Sequence, residues 1–151
     1  MAITTAMCNS FKEELFGGVH DLDSRFHLVP DVIKIALIKA SPSGTYGAGT
    51  TNYSNVTANT DEATGTNYTA TGNTLTGTVI SLDGSTAIID FADTTWASAT
   101  VSADGCIIYN STRNNRAIAV IDFGGSKTSS NGDFVIQMPA ADASNAIVRI
   151  A

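Results

Sequence analysis

The sequence predicts an all-β fold, an antiparallel sandwich or barrel with one short N-terminal helix. Three observations predict it. Seven or eight short apolar runs recur about every ten residues, separated by Gly, Asn and Asp turn signals, as short strands in a sandwich or barrel do. Ser, Thr and Asn make up 45 of the 151 residues and crowd between residues 41 and 86; they favour strands and turns over helix interiors. Only one segment, at the start, has helical spacing. With 43% hydrophobic and 15% charged residues, the chain has enough apolar surface for one core and too little charge for disorder.

The first 20 residues read as a helix or arm, and residues 21–151 as a single β domain. Asn9 or Ser10 is expected to cap the helix, with Glu13 and Glu14 in its first turn. Met7, Phe11 and Leu15 share one face, and Gly17-Gly18 ends it. Such a helix has about two turns and does not stand alone. It docks on its own domain, the reading helix energetics favours, or on a neighbouring chain.

Strands are expected at 32–39, 74–82, 86–91, 95–102, 105–109, 117–123, 133–138 and 146–150. Asp83-Gly84 and Asp104-Gly105 read as turns, Asn131-Gly132 as a turn signal before 133–138, and 111–115 as a hairpin loop. Ile89-Asp90-Phe91 and Ile121-Asp122-Phe123 repeat a tripeptide, with Ile and Phe expected inward and Asp outward.

Composition excludes several function classes. The net charge is −6, and the eight Lys and Arg are scattered, so no basic stripe exists for nucleic acid. The longest apolar run has five residues (117–121), which excludes a membrane-spanning helix. Residues 1–5 lack the charged and apolar regions of a secretion signal, so Cys8 and Cys106 are expected as reduced thiols made in a cytosol. Both read as small core fillers.

No catalytic constellation stands out. There is no G-x-S-x-G, and Gly124-Gly125-Ser126-Lys127-Thr128 lacks the spacing of a phosphate loop. His20-Asp21-Leu22-Asp23 lacks the rest of a calcium loop and reads as a solvated linker. No metal, cofactor or enzymatic activity is expected. Tyr46, Tyr53 and Tyr68 read as loop anchors, with a carbohydrate platform as the alternative.

Several segments together carry a resemblance. They are the opening from Met1-Ala2-Ile3-Thr4-Thr5 to Lys12, Ile33-Lys34-Ile35-Ala36-Leu37, and the element E-x-x-G-x-x-Y-x-x-x-G running from Glu62 through Gly65 and Tyr68 to Gly72. Phe91-Ala92-Asp93-Thr94-Thr95-Trp96, Gly105-Cys106-Ile107-Ile108-Tyr109-Asn110 and Ala119-Val120-Ile121-Asp122-Phe123-Gly124 complete it. In this order the chain resembles small structural proteins of tailed bacteriophages.

The resemblance implies a virion component, first a head decoration (cement) protein on the outer capsid surface. That implies a β-sandwich, jelly-roll-like, bound as a homodimer or homotrimer to the major capsid protein, with no catalytic residue to carry over. A tail or neck subunit is the alternative; a carbohydrate-binding module on a phage fibre is a further one. Phe11, Leu15 and Phe16 of the helix are the expected assembly contacts.

Overall fold

A computed structural model describes residues 2–25 and 28–151. The chain is mostly β and forms two antiparallel sheets, as an all-β sandwich requires. Its elements are β1 (Ala6–Met7), α1 (Asn9–Phe16), β2 (Ile33–Lys39), α2 (Ser54–Ala58), β3 (Asn73–Thr74), β4 (Val79–Asp83), β5 (Thr86–Asp90), β6 (Thr94–Asn110), β7 (Arg116–Ile136) and β8 (Val148–Ile150). One sheet has the order β1-β7-β6-β2-β3, the other β4-β5-β8. Both contribute to one core, which includes Ile35, Leu37, Ile107 and Val120 from the first sheet and Ile89 and Val148 from the second.

The spine is the β6–β7 hairpin. The expected strands 95–102 and 105–109 run as one strand of 17 residues; 117–123 and the first four residues of 133–138 lie within one of 21, which ends at Ile136. Asp104-Gly105 is therefore a register shift, not a turn. A side chain at Gly105 would collide with the Ile121 carbonyl, so the bulge needs glycine there. Gly124 and Gly125, at φ 69° and 128°, and Asn131, at φ 52°, bend β7 without ending it. The loop at 111–115 is the hairpin turn, with Asn114 and Asn115 at positive φ.

The expected strand 74–82 divides into β3 and β4, which belong to different sheets. Gly77, at φ 63°, lies between them. The turn between β4 and β5 is Gly84-Ser85, since Asp83 pairs with Thr86.

The tripeptide repeat divides too. Ile89 and Phe91 are buried, Ile121 and Phe123 pack half-buried against the core, and Asp122 is exposed. Asp90, expected outward, is 2% exposed. Ile88, on its face of β5, is buried as well, so both faces of this strand are covered. Asp90 Oδ1 accepts the Phe91 N–H at 2.9 Å, while Oδ2 has no hydrogen-bond partner among the described residues. Burial, reinforced by Asp142 and Asp93, raises its carboxyl above the ordinary value.

Asp90 thus favours the fold when protonated, and that contribution is lost as pH rises through the raised folded value. Asp90→Asn is expected to stabilise the chain by about 1 kcal/mol at neutral pH in urea denaturation. The gain should vanish as pH falls into the carboxylate range. A loss of stability at neutral pH would contradict this.

Candidate functional site

The N-terminal segment is built into the sandwich. Ala6 and Met7 pair with Val120 and Ala119 of β7, and the Cys8 N–H donates to the Ile118 carbonyl at 2.9 Å. Cys8, not Asn9 or Ser10, is the N-cap of α1, and its side chain makes no capping bond, donating to the Gly47 carbonyl at 3.9 Å. The Asn9 N–H instead donates to the Ala48 carbonyl at 2.8 Å, so a tertiary contact replaces the expected cap. Glu13 and Glu14 lie beyond the first turn, which has no acid. Gly17 and Gly18 close the helix as expected: their N–H groups donate to the Glu13 and Leu15 carbonyls.

This placement separates the three expected assembly contacts. Phe11 is fully buried in its own domain, and Leu15 packs half-buried against the same core. Of the three, only Phe16 is exposed, at 97%. The helix docks on its own domain, with β1 paired to β7 and Phe11 in the common core.

A polar clasp fixes the end of this segment. The His20 side chain is fully buried and the Glu14 side chain is 9% exposed. Asn110 Oδ1 accepts the N–H groups of Thr112 and Arg113 at 3.1 and 3.2 Å, which orients its amide. The amide NH2 then donates to Asp31 Oδ2 at 2.8 Å and to His20 Nδ1 at 2.9 Å. His20 Nδ1 is therefore an acceptor, and Nε2–H donates to Glu14 Oε2 at 2.6 Å. Arg116 binds the other Glu14 oxygen, and Arg113 binds Asp31 at 2.9 Å. Burial would raise the Asp31 carboxyl, but the bonds from Arg113, the Asp21 N–H and Asn110 outweigh it and hold it below its ordinary value.

The linker reading of His20 is thus corrected: its ring is a buried strut with both nitrogens engaged, and Leu22 is buried beside it in sequence. No local signal could find this clasp, because His20 and Asn110 are 90 residues apart. Among the described residues, no group of three or more His, Cys, Asp or Glu is arranged to hold a metal.

A second set of bonds accounts for the element from Glu62 to Gly72. Glu62 accepts the Tyr53 hydroxyl, the Tyr68 hydroxyl at 2.9 Å and the Thr71 N–H at 2.7 Å. Tyr68 also accepts the Leu37 N–H at 3.0 Å, and Tyr109 donates to the Thr71 carbonyl at 2.7 Å. Side chains at Gly65 and Gly72 would collide with the Thr100 and Ile35 carbonyls. Tyr53 stacks on Tyr109 with centroids 4.5 Å apart, and Trp96 packs between Tyr68 and Phe134. Glutamate, glycines and tyrosines at this spacing lock a polar loop onto β2 and β6. Tyr46 and Tyr53 are buried and Tyr68 is half-buried, all with their hydroxyls engaged, as loop anchors are.

Both cysteines are free and fully buried. Burial, then the Glu14 charge, pushes the Cys8 thiol up to about 12; burial alone raises Cys106. A disulfide-exchange reagent at pH near 8, where an ordinary thiol reacts, is expected to label neither cysteine in the native chain and both in denaturant. Rapid native labelling of Cys8 would show that the N-terminal segment opens.

Among the described residues, two concave features stand out: a pocket of about 570 Å³ beside α1, lined by Glu13, Glu14, Asn52 and Arg116, and a groove of about 820 Å³. The groove is bordered by residues 5–7 beside β1, two stretches of β7 and the segment 145–149. Comparison of the chain with protein-family models, curated proteins and solved structures finds no match.

Proposed function

We propose that the chain is a non-enzymatic virion structural protein: a head decoration protein, jelly-roll-like in connectivity. In this reading it binds the major capsid protein from outside as a homodimer or homotrimer. The observation that supports it is where the phage-like residues lie. Glu62, Gly65, Tyr68, Gly72 and Trp96 hold loops to strands and fill the core, which suits a subunit whose task is to stay rigid under load. A shell pressed outward by packed DNA gains from many such subunits bridging neighbouring capsomers. Modest affinity per contact suffices when many contacts must break together.

The test adds purified protein to particles that lack it. The expected result is saturable binding over the whole shell, retained at high salt, and a higher temperature for DNA release. Binding confined to one tail or neck ring would transfer the chain to the tail reading, and binding to fibre tips to the carbohydrate reading. No binding to particles would overturn all three.

A further inference from the structure

We propose that the groove is the seat of one extended segment of a partner protein, which enters as an added β-strand between β7 and β8. Two open ladders border it. β8 is the outer strand of its sheet, and β1 covers only Ala119 and Val120 of β7. Beyond Val120, the side of β7 away from β6 carries no strand among the described residues. Residues 133–139 and 145–149 line the groove consecutively. A strand face would contribute every second residue, so the strand edges, with their backbone N–H and C=O groups, are turned to the groove.

The rest of the lining specifies the occupant. Ile121, Phe123, Phe134, Ile136, Met138 and Ile147 give it an apolar part beside polar residues such as Thr128, Asp133 and Gln137, which calls for apolar and polar side chains alternating along the incoming strand. Lys127 and Arg149 also line it, are exposed, and form no close ion pair among the described residues, although Asp133 lines it too and Asp142 interacts with Arg149 across solvent. Lys127 and Arg149 call for a carboxylate at an end of that strand. The chain's own extended N-terminal segment is already committed. Ala2 and Thr4 bond to Tyr46, and Ala6 and Met7 pair with β7. The strand therefore comes from another protein. This seat stands apart from the shell reading, and its test uses no particle.

The test titrates the full chain with the blocked heptapeptide Asp-Val-Thr-Val-Thr-Val-Asp up to millimolar concentration. Hydrogen exchange is followed at residues 133–138 and 148–150. Exchange at these two edges is expected to slow about tenfold or more, with the rest of the chain unchanged. The same peptide with a central N-methylvaline, which lacks the ladder N–H, should bind at least about tenfold more weakly. The double variant Lys127→Glu, Arg149→Glu, checked for an unchanged melting temperature, should prefer the peptide with lysine ends.

Absence of protection at millimolar peptide overturns the seat, as does equal binding of the N-methyl peptide. Displacement of the peptide by lauric acid with no edge protection would make the groove a lipid cavity instead. Edge protection that rises with protein concentration without peptide would assign the groove to a second copy. Either result overturns the choice of partner.

Discussion

Asp61→Ala is expected to cost about 3–5 kcal/mol of stability, the largest effect of any single polar substitution in the chain. Asp61 is fully buried, yet its carboxylate is surrounded by donors. It accepts the Ser43 N–H at 2.9 Å, the Ser43 hydroxyl at 3.0 Å, the Gly44 N–H at 2.7 Å and the Tyr46 hydroxyl at 2.6 Å. Lys39 Nζ lies 3.0 Å away. Removing the carboxylate strands several of these donors in the interior and unpins residues 43–46 from β2.

The pH dependence follows from the same geometry. Burial alone would raise the Asp61 carboxyl, but the bonds from Ser43, Tyr46, Gly44 and Lys39 outweigh it and hold it far below the carboxylate range. A depressed folded value means that Asp61 stabilises the fold above its unfolded value of about 4 and loses that contribution as pH falls. The gap in stability between the native chain and Asp61→Asn should therefore begin to narrow below about pH 5 and go on narrowing to the lowest pH at which the fold persists. A constant gap would mean that Asp61 acts through packing alone.

Phe11→Ala is expected to cost about 3–5 kcal/mol, whereas Phe16→Ala should change stability by less than about 0.5 kcal/mol. Phe11 is fully buried, and its ring meets the edge of the His20 ring at 4.9 Å, so truncation leaves a cavity beneath the clasp. Phe16 is exposed and loses nothing on folding. Thermal or urea denaturation of the two variants gives the comparison. Deleting residues 1–18 removes β1, Phe11 and Glu14 together, and the melting temperature should collapse. Equal stability of the Phe11 variant and the native chain would mean that the helix lies elsewhere in solution.

These two residues also show how far the sequence could be read. Phe11 was legible because the helical period of Met7, Phe11 and Leu15 is local, and any docked helix buries that face. Asp61 was not. Its partners, Ser43 to Tyr46, lie 15–18 residues away across a polar stretch with no periodicity. Strand identity was readable from apolar runs, but strand ends were not. Asp104-Gly105, Gly124-Gly125 and Asn131-Gly132 carry the same residues whether they make a turn or a bulge. Only pairing with the partner strand decides between the two.

The groove depends on tertiary placement in the same way. Lys127, Phe134 and Arg149 come together because β7 bends at its glycines and the chain then returns as β8. His20 shows the limit from the other side. Beside Asp21 and Asp23 it has the look of a solvated polar turn, and only the orientation of Asn110 makes it a buried strut.

The measurement that tests the central claim most directly is the number of copies of this chain per virion, with their position in the reconstructed particle. The account predicts copies over the whole outer shell, in a fixed ratio to the major capsid protein and following the symmetry of the lattice. A single ring of copies at the neck or tail, or a chain missing from purified particles, would contradict it.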